Sequence, residues 1–443
     1  MVAPHADPPI WKQIPGRIEV SRDLIKACVH CGLCLDACPT YRLLGNELDS
    51  PRGRVSQIRA FSEGRISADN PKFREHMYKC LDCRACETAC PSGVDYGRLI
   101  EAARAEITAA STGEKVTREV ILNRVFMSNT AISAFGVATR MYQKSGVQSV
   151  VRGSGLLKML PGPLRKLGEM EAMLPAMSGR MLQPKLPVLT QPTSGEVKHR
   201  VAVISGCIAG QFFPETNEAT IRVLARNGCQ VVVPPTQKCC GALHVHAGER
   251  DTARQLARHN IATFERTGSE YYIINAAGCG STLKEYGELL ENDPIWAERA
   301  HTFASKVRDI NEFLAFIGID KTFGRIEKRV TYQDACHLAH GQKIREAPRD
   351  LITSIPGIQL IEMNEPDFCC GSAGIYNLTQ PVMAQQLLEL KMDNIIATGT
   401  EMIVASNPGC IIQIAAGVRQ RGVAMEVIHP IDLLDRAYGL AGK

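Results

Sequence analysis

Two runs of cysteine constrain this chain more than anything else in it: Cys28-x2-Cys31-x2-Cys34-x3-Cys38-Pro39 and Cys80-x2-Cys83-x2-Cys86-x3-Cys90-Pro91. Gaps of two residues let three thiolates wrap one face of a four-iron cluster while the intervening amides point at its sulfides. Where two such runs occur together, the last cysteine of each serves the other cluster. The spacing therefore predicts two [4Fe–4S] clusters, one on Cys28, Cys31, Cys34 and Cys90, the other on Cys80, Cys83, Cys86 and Cys38. Pro39 and Pro91 break the chain just after the crossing ligand and help turn it towards the neighbouring cluster. Zinc sites more often show cysteine pairs separated by a longer loop. Disulfides need an oxidising compartment, and residues 1–20 carry Pro, Asp and Lys with no apolar segment that would direct export.

At 443 residues the chain is long enough for about three domains, and 45% apolar residues support sizeable cores. No apolar stretch approaches the roughly 20 residues that span a bilayer, so any membrane association is expected to be peripheral. A formal net charge of +5 is modest for this size and makes no case for nucleic acid. Of the seventeen cysteines, eight belong to the two runs and eight more to a second repeat. The last, Cys229, sits between a helical run and the strand-like QVVVPP, where a small buried thiol is expected.

The second half of the chain is duplicated. Cys207, Cys239-Cys240-Gly241 and Cys279 are matched by Cys336, Cys369-Cys370-Gly371 and Cys410 at offsets of 129 to 131 residues. Each copy alternates strand and helix: VAVIS, QVVVPP and YYIINAAG in one, RVTYQDA, IQLIEM and MIVASNPG in the other. Apolar strands joined by helices imply a parallel sheet with both faces covered, and ligands gather beyond the C-terminal strand ends of such sheets. Cys207, Cys279, Cys336 and Cys410 are expected there, converging with Cys239 and Cys240, or Cys369 and Cys370, on one metal site per copy. Adjacent cysteines reach one centre only if the backbone turns sharply, which Gly241 and Gly371 permit.

The strings CVHCGLCLDACPTYRLLGNELDSPRGR and CLDCRACETACPSG, with GCGSTLKEYG, FCCGSAGIYNLT and NPGC in the CCG repeats, resemble the iron–sulfur subunits of glycolate oxidase (glycolate dehydrogenase) over nearly the whole chain. The same two modules occur in the iron–sulfur subunits of D-lactate dehydrogenases, lactate utilisation complexes and anaerobic glycerol-3-phosphate dehydrogenase, and in heterodisulfide reductase. The resemblance implies an electron-transfer subunit of an oxidoreductase that does not oxidise substrate alone. In that family one FAD-binding subunit oxidises glycolate to glyoxylate, a second FAD-domain subunit accompanies it, and electrons pass towards membrane quinone. This chain has no early G-x-G-x-x-G after a strand, so FAD is expected on the partners. The implied location is cytoplasmic, peripheral on the cytoplasmic face of the inner membrane.

One departure bears on the CCG sites. In heterodisulfide reductase five cysteines hold a noncubane cluster, the fifth from a terminal C-x-x-C, whereas here the positions three after Cys279 and Cys410 are Thr282 and Gln413. Four cysteines per repeat suit further cubane clusters or zinc. His244, His246, His337 and His340 lie close to the CCG cysteines and are candidate ligands or proton donors.

Between the modules, residues 112–198 differ in character. EKVTREVILNRVF is helical in period, and five prolines follow between Pro161 and Pro187. From Arg140 to Arg200 there are ten Lys or Arg against three Glu, and six Met. Such a segment suits anionic lipid or packing against partner subunits. The expected architecture is α+β and multidomain: an α-helical ferredoxin domain over 1–111, a basic Pro-rich linker over 112–198, and two α/β CCG domains with parallel sheets over 199–325 and 326–443.

Overall fold

A computed structural model describes residues 22–110, 122, 126–154, 168, 171, 174–175, 177 and 185–441. The expected helix over EKVTREVILNRVF lies almost wholly outside these, as do the basic residues Lys158, Arg165 and Lys166. The chain forms two compact units: Met1–Thr117 with Leu243–Arg250, and Arg118–Ala242 with Asp251–Lys443. Leu243–Arg250, inside the span expected of the first α/β lobe, thus belongs to the N-terminal unit.

The N-terminal unit is helical. Pro39, Pro51 and Pro71 each open a helix (Pro39–Leu44, Pro51–Ser62, Pro71–Lys79), where the missing N–H costs nothing and φ is already set. Ser50 and Asn70 cap two of these through their side chains. Pro39 therefore not only turns the chain after Cys38 but starts a helix. In helix Tyr96–Ala110, Leu99, Ile100, Ala103 and Ile107 recur at helical spacing and bury against Val55, Ile58, Phe61, Phe73 and Met77.

The second unit holds two sheets. β1 (Leu189–Thr190), β2 (His199–Ile204), β3 (Cys229–Val232), β4 (Tyr271–Ile274) and β5 (Val307–Asp309) pair in the order β1-β3-β2-β4-β5. β6 (Lys328–Gln333), β7 (Ile358–Leu360), β8 (Met402–Ala405) and β9 (Glu426–Ile428) pair in the order β7-β6-β8-β9. Every pairing is parallel except β1 with β3, where Leu189 faces Val232. β1 comes from the segment expected to be linker, and β5 and β9 add a strand that the cysteine-centred reading of each repeat did not contain. Central strands are buried on both faces, as Val201, Ala202 and Val203, and Ile403, Val404 and Ala405, show. One core runs through both lobes, joining Val201, Val203 and Val223 to Val330, Tyr332, Val404 and Leu434. Its rim is tied by Thr216 donating to Asp432 at 2.8 Å and by Arg222 with Asp435 at 2.7 Å.

Candidate metal centres

In the N-terminal unit the eight cysteines stand around two cavities. Cys28, Cys31, Cys34 and Cys90 line one; Cys38, Cys80 and Cys83 line the other, and Cys86 lines both. The loops bend alike: His30 and Asp82, then Gly32 and Arg84, take left-handed backbone at matching places in the two runs. For His30, Asp82 and Arg84 that conformation costs about 1–2 kcal/mol each and marks a loop shaped for something other than its own stability. Cys31 is exposed, whereas Cys38, Cys80, Cys83 and Cys86 are buried.

Residues outside the cysteine pattern complete these sites. Helix Pro51–Ser62 places Arg52 at the first cavity and Arg54 at the second, while Tyr96 lines both. Arg54 is wholly buried; it donates to the His76 carbonyl at 2.8 Å and Thr40 Oγ1 at 3.1 Å and stands 3.5 Å from Asp49. Burial alone would lower its pKa, yet Tyr96, Cys80, Cys38 and Asp49 hold the guanidinium firmly protonated. Asp82 N–H and Tyr96 O–H donate to Cys80 Sγ at 3.3 and 3.5 Å. Cys38 Sγ lies 3.2 Å from Thr40 Oγ1. The only sequence signal for the arginines was the SPRGR string between the runs, which has no spacing rule of its own.

His246, one of the candidate histidines, pairs with Asp82 at 3.0 Å. Its neighbours Asp82 and Glu101 are shared with Arg84, Arg104 and Arg250, so this is an ion-pair network. His340 lies 3.4 Å from the Asp367 carbonyl, and burial lowers its pKa. Cys229 is buried as expected, which pushes its thiol up to about 12.

In the α/β unit the expected cysteines gather near the C-terminal ends of the strands. Cys207 Sγ is 3.5 Å from Cys239 Sγ, and the ionisation of Cys240 responds to both Cys239 and Cys279. In the second lobe the ionisation of Cys369 responds likewise to Cys336 and Cys370, and that of Cys370 to Cys369 and Cys410. Gly241 and Gly371, both at φ +88°, make the turn that lets adjacent cysteines share a site. Gly241 N–H donates to Cys239 Sγ and Asn407 Nδ2 to Cys410 Sγ, each at 3.5 Å. Cys207 is raised well above the usual thiol range, first by its hydrogen bond with Cys239 and then by burial. Cys370 is pulled down by hydrogen bonds from Cys369 and Cys410, with the Lys391 charge adding to them. A thiophilic cation would deprotonate all four thiols of such a set outright. Near the sites, Gly278 N–H donates to Asn407 Oδ1 at 3.2 Å and Gln342 Nε2 to the Ala277 carbonyl at 3.0 Å, linking the lobes.

A helical unit with paired four-cysteine cavities, followed by a duplicated cysteine-rich α/β unit, defines an iron–sulfur protein. Residues 24–94 match the family described as "4Fe-4S dicluster domain", 113–174 "Glycolate oxidase iron-sulfur subunit, linker region", and 201–284 and 330–415 "Cysteine-rich domain". The chain is 41% identical over 420 residues to the "Probable glycolate oxidase iron-sulfur subunit" of Bacillus subtilis, covering 93% of this chain and 94% of the relative. It is 32% identical over 423 residues to the "Glycolate oxidase iron-sulfur subunit" of Escherichia coli, covering 94% of each. "Lactate utilization protein A" of Shouchella clausii is 30% identical over 236 residues, 53% of this chain and 98% of that relative. The chain belongs to the family of glycolate oxidase iron–sulfur subunits.

Proposed function

We propose that this chain is the electron relay of a glycolate-oxidising complex. A partner subunit bearing FAD oxidises glycolate to glyoxylate, a second FAD-domain subunit accompanies it, and electrons leave through this chain towards membrane quinone. The observation that carries the reading is the pair of cavities, one lined by Cys28, Cys31, Cys34 and Cys90 with Arg52, the other by Cys38, Cys80 and Cys83 with Arg54 and Arg84, that share Cys86 and Tyr96 as a common wall. A [4Fe–4S] cluster bound in each would supply a one-electron carrier. Cys28, Cys31, Cys34 and Cys90 hold the first; Cys38, Cys80, Cys83 and Cys86 hold the second. Arg52 and Arg54 offset the thiolate charge, and the Asp82 N–H and Tyr96 O–H stabilise electron-rich sulfur at Cys80, which favours the reduced state. Cys31, Val29 and Leu33 are exposed at the first cavity, which makes it the place where a partner exchanges electrons.

In this reading residues 1–111 are the dicluster domain, 112–198 the linker, and 199–325 and 326–443 the CCG domains. The complex sits on the cytoplasmic face of the inner membrane. Support comes from residues 126–154, which contain no acidic residue and expose Phe135, Met141, Val147 and Val150. Among the described residues no helix is long and apolar enough to cross a membrane.

The test is anaerobic purification with the partner subunits, followed by glycolate addition and cluster reduction read by electron paramagnetic resonance. Reduction that requires the flavoprotein partner is expected. Reduction of the isolated chain by glycolate would overturn the relay. The half-length lactate-utilisation relatives make lactate the competing substrate, and reduction by lactate but not glycolate would select it.

A further inference from the structure

Helix Ala277–Lys284 carries Cys279, a candidate ligand of the first CCG site, yet its own N-cap residue gives it nothing: Ala276 has no side chain that could accept from the first-turn amides. The second lobe supplies what is missing. The Ser406 carbonyl accepts from Ala277 N–H at 3.2 Å, and Asn407 Oδ1 accepts from Gly278 N–H at 3.2 Å. Asn407 is itself the N-cap residue of helix Pro408–Arg421, but its side chain makes no bond to that helix, whose Pro408 has no N–H to satisfy. The amide is turned to the other lobe instead, and its Nδ2 donates to Cys410 Sγ at 3.5 Å. One orientation of the amide serves both neighbours, because Gly278 N–H needs an acceptor and a metal-bound Cys410 thiolate needs a donor.

We propose that Asn407 is a positioning residue for both CCG sites at once: its carbonyl oxygen seats the helix that carries Cys279, and its amide nitrogen supports the sulfur of Cys410. The bridge is built from one side only. Ala276 stands 131 residues before Asn407, as Cys279 stands 131 before Cys410, so the first lobe has no side chain with which to return the contact. Hydrogen bonds to a ligand sulfur hold a metal site together, and a cap fixes the first turn of its helix, which is where Cys279 lies. Gln342 Nε2 also grips this helix from the second lobe, donating to the Ala277 carbonyl at 3.0 Å, so loss of Asn407 loosens Cys279 without releasing it. The first site is thus seated by the lobe that holds the second.

The inference rests on reading the CCG cysteines as metal ligands and is separate from the source of the electrons. The full chain, purified anaerobically, is treated with iodoacetamide with and without 1,10-phenanthroline, and labelling of each cysteine is followed by peptide mass spectrometry. Cys229, a buried thiol outside the ligand sets, reports folding in the same digest. In Asn407→Ala, labelling under chelator is expected to be roughly fivefold faster at Cys279 and about 10–100-fold faster at Cys410. Asn407→Asp keeps an acceptor for Gly278 N–H but sets a carboxylate against the Cys410 sulfur, so Cys279 should keep its wild-type rate while Cys410 is labelled faster. A general loosening of the fold would move both cysteines together. Equal change at both in Asn407→Asp, no acceleration at Cys410 in that variant, or none at Cys279 in Asn407→Ala would overturn the proposal. If Asn407→Ala exposes Cys229, Asn407→Asp decides alone. Wild-type labelling of Cys279 and Cys410 that ignores the chelator would overturn it at its premise, that these cysteines hold metal, and would leave the relay reading standing.

Discussion

The N-terminal unit and the α/β unit each gather eight cysteines into two four-thiol sets, by opposite means. In the N-terminal unit three ligands of each set come from one short loop, which left-handed residues at His30, Gly32, Asp82 and Arg84 bend around a cavity. In the α/β unit the ligands come from segments up to 74 residues apart, from Cys336 to Cys410, and the fold gathers them beyond the strand ends. The first kind of site carries charge in its wall as arginine; the second is bounded by the turn at a glycine.

The largest expected effect falls on the loop sites. Cys83→Ser should cut iron from about 8 to about 4 per chain and remove one of two reducible signals, measured by iron analysis and redox titration. Unchanged iron would mean that the cavity does not depend on its thiols. Next is Arg54→Met, which leaves Asp49 buried without its guanidinium. A loss of about 3–5 kcal/mol is expected in denaturant unfolding, partly restored by adding Asp49→Asn.

A smaller effect sharpens the contrast within the α/β unit. Gly241 faces Ala253 and Gly371 faces Ala384, so these alanines are equivalent, and seven residues beyond each the same helix face presents Asn260 and Lys391. Asn260 donates to the Cys239 carbonyl at 3.0 Å. Lys391 is fully buried, donates to the carbonyls of Glu365 and Pro366 at 2.7 and 3.2 Å, and is drawn down by burial to about 8, with the charges of Cys370 and Cys369 opposing. A neutral amide thus supports one site and an ammonium the other. Lys391→Met should weaken metal retention at the second site by about 10–100-fold in chelator competition and leave the first unaffected. Equal loss from both would break the contrast.

The smallest effect concerns the turns. An added Cβ at Gly371 would lie 2.6 Å from the Ala384 carbonyl oxygen, whereas at Gly241 its nearest neighbour is 3.4 Å away. Gly241→Ala should cost about 1–2 kcal/mol from its left-handed backbone alone, and Gly371→Ala more, compared by thermal unfolding. Equal costs would show that the second lobe gives way at its helix.

Much of the site was legible because ligand spacing is a local property. The runs from Cys28 and Cys80 and the matched offsets of the CCG repeats located all sixteen candidate ligands, and strand periodicity put the CCG cysteines at sheet ends. The edge strand Leu189–Thr190 was not legible, because two residues in a Pro-rich stretch carry no period and become a strand only by pairing with β3. Nor was the membership of Leu243–Arg250 in the N-terminal unit, since its His246 finds Asp82, 164 residues away.

The sequence by itself determined the candidate ligands, the duplication and the family, because thiol type and spacing along the chain suffice for these. Only the tertiary structure decided which arginines line the cavities, which donors reach the cysteine sulfurs, and that one CCG site has an ammonium where its twin has an amide. Those are distances between residues remote in the chain, fixed by how helices and sheets pack rather than by any local pattern.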